Sequence, residues 1–186
     1  MGEPAHAQTL YDAIRTLPEG VTGEIIDGQL YAHPRPAAIH AEVALGFAAN
    51  LKTLFDWGRG GPGGWRIFAE PEVHFQRDLE ILVPDLAGWR RERLPQLPAD
   101  QRFEVVPDWV CEILSPSTTS QDRRVKMPVY ANYGVAYAWL VDPQARSVEA
   151  YARDGETWTH LATAAGDAPI ILPPFDAVSL TPPWAS

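Results

Sequence analysis

Two acidic side chains interrupt the most apolar segments of the chain. Asp85 lies in the apolar segment 81–87, and Glu112 lies in the apolar segment 109–114. Burial of a carboxylate is costly unless the group is paired, hydrogen-bonded or bound to metal. Two carboxylates on neighbouring strands would repel each other, and a divalent cation relieves that repulsion. Ligation by oxygen atoms favours Mg²⁺ or Mn²⁺. The alternative interpretation is that each acid marks the end of a strand and faces water.

A third charged group follows the second acid. Asp122, Lys126 and Tyr130 are spaced at i, i+4 and i+8, so they share one face of a helix predicted over residues 117–133. One interpretation is an exposed Asp–Lys pair that contributes a few tenths of a kcal/mol. The other is an ammonium group placed beside the two carboxylates, where it polarises a phosphate or orients a water molecule. Only two of the fifteen basic residues are lysines, which makes a lysine at this position informative.

Hydrophobic spacing and turn residues predict the elements that position these side chains. Helices are predicted over residues 9–17, 36–57 and 117–133, and Pro128 is expected to weaken or bend the third. The dipeptide Asp27-Gly28 predicts a hairpin turn. Strands are predicted over residues 65–68, 73–75, 81–89, 109–114, 136–142, 148–152 and 157–162. This mixed order predicts an α/β or α+β fold with a central sheet.

Composition limits the classes of protein that need to be considered. The chain has 186 residues, of which 46% are hydrophobic, and a single cysteine, Cys111, so we expect a cytoplasmic domain without disulfides. No apolar run approaches the ~20 residues that span a bilayer. The formal net charge of −9 argues against a protein that coats nucleic acid through a broad basic surface. It leaves open a protein that brings phosphate to a few carboxylates through metal ions.

These residues, taken in order, resemble a known family. The matching pieces are Glu24-Ile25-Ile26-Asp27-Gly28, His40, Val83-Pro84-Asp85, the segment 112–118, Asp122 with Lys126 and Tyr130, and the segment 137–143. They resemble the Uma-type family, a bacterial family of unknown function whose members are described as restriction endonucleases. That family belongs to the PD-(D/E)xK nuclease superfamily. The resemblance extends from about residue 10 to residue 174, and the segment 112–118 is its most specific piece.

The resemblance implies a fold and an activity. The expected fold is mixed α/β or α+β, with a restriction-endonuclease-like core in which helices flank a mixed central β-sheet. We expect a single domain over residues 1–186, with its core at about 10–174 and a proline-rich tail at 173–186. The implied activity is Mg²⁺- or Mn²⁺-dependent hydrolysis of phosphodiester bonds, with DNA as the substrate. A homodimer is plausible because two sites would cut both strands.

The resemblance also implies roles for individual residues. Asp85 and Glu112 match the two acidic positions of the superfamily motif and would bind the metal ion, with the backbone carbonyl of Ile113 as a further ligand. The superfamily motif has a lysine two residues after the second acid, whereas this chain has Leu114 there. Lys126, on the following helix, is expected to take the catalytic role of that lysine.

Further residues are weaker candidates. Glu24, His40 and Asp122 are predicted to support the site, although a histidine such as His40 more often packs beside a core. Arg123 and Arg124 are predicted to contact phosphate, with a solvated charge cluster as the alternative.

Three functions follow from these predictions. The first is a metal-dependent DNA endonuclease. The second is a non-catalytic module that binds nucleic acid or protein on a nuclease scaffold, which the negative charge, Leu114 and Pro128 favour. The third is a hydrolase of some other phosphoester.

Overall fold

The computed structural model describes residues 9–34, 37–116 and 118–185. Pro36 and Ser117, which begin two of the predicted helices, lie outside the described residues. Helix α1 spans Leu10–Arg15, and Thr9 caps its N-terminus by forming a reciprocal capping box with Asp12. No helix within the described ranges is long and apolar enough to cross a membrane.

The strands form two mixed sheets. The first sheet has the order β2-β1-β5-β4-β7 and consists of β1 (Val21–Ile26), β2 (Gln29–Pro34), β4 (Glu72–Gln76), β5 (Glu80–Leu82) and β7 (Arg102–Phe103). The second has the order β11-β10-β9-β8-β6-β3 and consists of β3 (Trp65–Ala69), β6 (Leu86–Arg90), β8 (Trp109–Ile113), β9 (Tyr137–Asp142), β10 (Ser147–Asp154) and β11 (Thr157–Ala165). One pair in each sheet is parallel, β4 with β7 and β8 with β9. The mixed α+β class is therefore confirmed.

The predicted strand over residues 81–89 is wrong as a single element. The chain forms β5 in the first sheet, leaves it at Val83, and begins β6 of the second sheet at Leu86. Pro84 explains the break, because a proline has no N–H with which to continue a ladder of backbone hydrogen bonds. Asp85 therefore lies where the chain crosses from one sheet to the other.

The two longer helices both contain a π-helical segment. Helix α2 spans Ala38–Leu51 and continues as the first π segment, Lys52–Asp56. The other helix comprises α3 (Thr119–Gln121), the second π segment (Asp122–Lys126) and α4 (Met127–Asn132). In the second segment the N–H of Met127 donates to the carbonyl of Asp122, five residues back. The next residue is Pro128, which has no N–H to donate and whose ring would clash with an α-helical carbonyl four residues earlier.

The second sheet carries most of the aromatic core. Val43, Phe47 and Leu51 of α2 are buried in the cluster that covers one face of this sheet. Phe175, from the proline-rich C-terminal segment, is fully buried in the same cluster. Its ring lies 4.8 Å from that of Trp65, measured between centroids. The C-terminal segment therefore completes the core beside the sheet that carries Glu112.

Candidate functional site

The site lies where the two sheets meet. Glu24 comes from β1, Asp85 from the crossing between β5 and β6, and Glu112 from β8. Asp122 and Lys126 are the first and last residues of the second π segment. All five line one cavity of about 390 Å³. The structure thus brings together the two acids predicted to bind metal, the lysine and the two supporting acids, all from distant parts of the sequence.

Lys126 lies among three carboxylates. Its Nζ is 2.9 Å from Glu24 Oε1, 3.4 Å from Glu112 Oε1 and 3.8 Å from Asp122 Oδ1. The side chain is only 9% exposed. Burial alone would lower the pKa of Lys126, but the three carboxylates outweigh it and raise the pKa above its ordinary value. Lys126 is therefore a fixed positive charge at the floor of the cavity.

Glu112 and Asp122 are held in a way that disfavours their ionised forms. Burial raises the pKa of Glu112 well above its ordinary value, and the neighbouring acids add to the rise while Lys126 opposes it. Burial likewise raises the pKa of Asp122 to about 6. The hydroxyl of Tyr130 donates a hydrogen bond to Glu112 Oε1. Lys126 alone therefore does not offset the burial and mutual repulsion of these carboxylates.

Asp85 is fixed by two hydrogen bonds. Strand β6 pairs with β8 from Leu86 onward, and the Asp85 carboxylate continues that pairing by accepting a bond from the N–H of Ile113 at 2.6 Å. Its other oxygen is 2.8 Å from Nε2 of His40, on the first turn of α2. Burial lowers the pKa of His40, but the bond to Asp85 outweighs it and raises that pKa. His40 is therefore in contact with the site.

Glu24 has one satisfied and one unsatisfied oxygen. Oε1 accepts a 2.8 Å bond from the N–H of Val83 and contacts Lys126. Oε2 is buried and has no hydrogen-bond partner among the described residues. His33 Nε2 is 3.6 Å from it, beyond hydrogen-bond distance. A buried carboxylate oxygen without a partner is costly, so it marks a position where a bound group would be stabilising.

The donor set fits a divalent cation, although no ion site is already formed. Within the described residues, no three His, Cys, Asp or Glu side chains stand in an ion-binding arrangement. The ammonium group of Lys126 lies among three of the four carboxylates of the cavity and contacts each of them. The excess of buried carboxylate and the unpartnered oxygen of Glu24 nevertheless suit a hard cation that prefers oxygen ligands. Asp85 and Glu112, with Glu24 beside them, are the residues that would hold it. Ile113, whose backbone carbonyl is the further ligand expected from the sequence, contacts Asp85 through its N–H.

The two predicted phosphate-binding arginines are not brought to the site. Arg123 forms a bidentate ion pair with Glu149 of β10, with N–O distances of 2.8 and 2.6 Å. This pairing raises the pKa of the Arg123 guanidinium. Arg124 is exposed. Neither side chain lines the cavity.

Sequence reasoning missed several contacts of the site. Asp108, which follows a proline as Asp85 does, does not line the cavity, and its carboxylate accepts bonds from the N–H of Arg90 and the guanidinium of Arg93. The bond from Tyr130 to Glu112 was missed, although the i+8 spacing of Tyr130 from Asp122 placed it on the correct helix face. Nothing in the sequence indicated that the side chains of His33 and Gln121 would meet across the cavity, 3.2 Å apart.

Comparisons with known proteins agree with this architecture. A solved structure from Anabaena variabilis, described as a "putative nuclease belonging to DUF820", is 23% identical to this chain. The match covers 93% of this chain and 94% of that one with a TM-score of 0.71, which establishes a shared fold. Among curated proteins, none matches this chain.

The chain also matches a family model. Residues 9–182 match the model of the Uma2 family, whose description is "Putative restriction endonuclease". The match includes every acid of the cavity, Lys126 and most of the C-terminal segment that completes the core. The resemblance noted from the sequence motifs is thereby confirmed, and the chain belongs to the Uma2 family of nucleases.

Proposed function

We propose that this protein is a metal-dependent endonuclease that hydrolyses phosphodiester bonds of DNA. The observation that carries the proposal is the convergence of Asp85, Glu112 and Lys126 on one cavity at the junction of the two sheets. Membership of a family described as restriction endonucleases supports the class of reaction. The acidic donor set and the single buried ammonium group are the parts that phosphodiester hydrolysis requires.

Each side chain has a defined task in this proposal. Asp85 and Glu112 would hold Mg²⁺ or Mn²⁺, which supplies Lewis-acid stabilisation and an activated water when it is bound. Lys126 neutralises the negative charge that develops on the attacked phosphate, a task for which a compact ammonium is well suited. His40 fixes the carboxylate of Asp85, and Tyr130 fixes that of Glu112.

The net charge sets the expected mode of DNA binding. With −9 overall, the protein lacks the excess of positive charge that gives strong sequence-independent binding to a long duplex. We infer that the substrate is held by few contacts near the cavity. Binding should accordingly depend only weakly on salt concentration.

The experiment that tests the proposal is a cleavage assay with Mg²⁺ and Mn²⁺ on duplex, single-stranded and supercoiled DNA. The isosteric variants Asp85→Asn and Glu112→Gln should each lose at least about 100-fold in rate, because each loses a ligand charge. Asp108→Asn is the matched control, since Asp108 also follows a proline but ties a turn to Arg93. Failure of the wild type to cut any DNA, or full activity in Asp85→Asn, would refute the proposal.

A second candidate is a non-catalytic module on the same scaffold. The observation that favours it is the position of Lys126, whose ammonium already neutralises part of the buried acid without any ion. This candidate predicts that the wild type binds no Mn²⁺. It also predicts that wild type and Glu112→Gln bind DNA equally and that neither cuts it.

A further inference from the structure

A second cavity adjoins the one that holds Lys126. It has a volume of about 370 Å³, and Thr22, Glu70 and Val83 line both cavities. Glu70 is in the left-handed backbone region with a φ of 47°, and its N–H donates to the carbonyl of Asp85 at 3.0 Å. Non-glycine residues are uncommon in that region and occur there at turns as well as at functional sites. A ligand beside Lys126 can therefore extend past Glu70 into the second cavity.

The lining of the second cavity suits a flat, uncharged group. Phe68 and Phe103 both line it, with ring centroids 5.0 Å apart, and Val21 adds aliphatic surface. The charged residues of the lining are both acids, Glu70 and Glu72. Their charge disfavours a second phosphate there. Phe103 is buried and stacks on Trp89, whereas Phe68 is only half-buried. The ring of Phe68 and the carboxylate acceptors match a nucleobase, which stacks on a ring and donates hydrogen bonds from its amino groups.

Two polar side chains of this cavity, Glu72 and Gln101, are hydrogen-bonded to the hydroxyl of Tyr11. Glu72 Oε1 accepts a 2.7 Å bond from the hydroxyl of Tyr11 and is 2.7 Å from Nε2 of the buried His74. Glu72 Oε2 has no such contact within the described residues. Gln101 is exposed, and its amide nitrogen donates to the same tyrosine hydroxyl at 3.4 Å. The cavity thus presents a carboxylate held by two short contacts, with an amide beside it, which favours recognition of a base edge.

We propose that this second cavity binds the base of a nucleotide next to the scissile phosphate. The inference rests on the proposed function for the position of that phosphate in the first cavity. A base can enter such a cavity only after it leaves the stack of a duplex. The substrate class is therefore a single strand, or a duplex that is locally unpaired at the cleavage site.

Strand binding measures the base subsite without requiring cleavage. Wild-type protein with Ca²⁺ is titrated against a fluorescent single-stranded deoxycytidine oligonucleotide, whose bases carry amino groups, and an abasic strand of equal length and charge, and gel analysis checks that both stay intact. Removal of the bases should weaken binding at least about fivefold, because base–aromatic stacking is lost. Equal affinity for the two strands would overturn the proposal.

Two variants locate the effect in the second cavity. Phe68→Leu keeps an apolar side chain but removes a ring, and Gln101→Ala alters an exposed residue, so both should leave the fold intact. Each should weaken binding of the base-bearing strand at least about threefold and leave binding of the abasic strand unchanged. Gln144→Ala, on an exposed turn away from both cavities, is the matched control. Variants that affect both strands alike, or neither, would contradict the assignment.

Cleavage rates distinguish this inference from the function on which it rests. With Mg²⁺ or Mn²⁺ the single strand, or a duplex with a mismatched segment, should be cut at least about tenfold faster than a fully paired duplex. Equal rates would overturn the base subsite while the endonuclease proposal stands. Base-dependent binding without cleavage of any strand would refute the endonuclease and retain the subsite.

Discussion

Lys126 and Lys52 form the same local ion pair, but the two lysines differ in burial and therefore in the role that we expect of them. Each lysine forms an i,i+4 ion pair with an aspartate, and each pair joins the first and last residues of a five-residue π segment. Lys52 is 35% exposed, whereas Lys126 is 9% exposed and contacts two further carboxylates from other strands. The spacing along the helix is the same in both pairs. Only the tertiary fold supplies Glu24 and Glu112 and makes Lys126 the functional candidate.

Replacement of this ammonium should have opposite effects on cleavage and on ion binding. Lys126→Met should slow DNA cleavage at least about 100-fold, because a charge that stabilises the transition state is removed. The same change should tighten Mn²⁺ binding, since the ammonium no longer competes for Glu24 and Glu112. Calorimetric titration and a cleavage assay measure the two effects, with Lys52→Met as the matched control. Weaker Mn²⁺ binding in Lys126→Met would show that the lysine does not compete with the ion.

His40 is expected to act through Asp85. His40→Ala should lower kcat for DNA cleavage about 10-fold with little change in KM, because partners that orient a metal ligand are worth about 10–100-fold. His40→Gln can still donate a hydrogen bond and should recover part of the loss. Steady-state kinetics on the three proteins check this. Equal kcat values in wild type and His40→Ala would assign His40 to packing alone.

At the scale of elements, the sequence predicted most helices and strands but not the relation between the sheets. The hairpin at Asp27-Gly28 and the long helix followed from turn chemistry and hydrophobic spacing, and both are confirmed. The apolar run over residues 81–89 looked like one buried strand. It forms two, because Pro84 ends one ladder and a local pattern carries no information on which sheet the next strand joins. The position of Asp85 at that crossing could therefore not be predicted.

The second π segment makes a prediction of its own. Pro128 prevents regular α-helical hydrogen bonding just after Asp122–Lys126, and its side chain is exposed. Pro128→Ala should allow an α-helical turn there, which displaces Lys126 relative to Glu112. We expect cleavage to fall at least about fivefold while Tm does not decrease. A variant with wild-type activity would show that the π segment is unrelated to the site.

At the scale of the whole molecule, the buried acidic excess governs how stability depends on pH. The pKa of Asp122 is about 6 in the folded protein against an ordinary value of 3.8, so the folded state binds this proton more tightly than the unfolded state. The raised pKa of Glu112 and that of His40 act in the same direction. Stability that is present at low pH is therefore lost as the pH rises through about 6.

Thermal unfolding tests the direction of this dependence of stability on pH. Without divalent ions, Tm should be about 5 °C higher at pH 5 than at pH 7.5, and Asp122→Asn should reduce the difference. Acids whose pKa is lowered by an ion pair, such as Glu149, change the stability only at pH values below the interval from 5 to 7.5. A Tm that rises from pH 5 to pH 7.5 would contradict the assigned direction.

Metal binding should offset the same destabilisation. Added Mn²⁺ should raise Tm more at pH 7.5 than at pH 5, because the ion competes with protons for the carboxylates and binds only the folded state. EDTA should reverse the increase. An equal effect at both pH values would place the bound ion away from Glu112 and Asp122.

Calorimetric titration with Mn²⁺ tests the central claim most directly, because it measures whether acids from the sheet crossing and from β8 hold one ion. The wild type should bind Mn²⁺, and Asp85→Asn and Glu112→Gln should each weaken that binding at least about 10-fold, whereas Asp108→Asn should bind as the wild type does. Identical Mn²⁺ affinity in all four proteins, or no binding by any of them, would contradict the metal-dependent site.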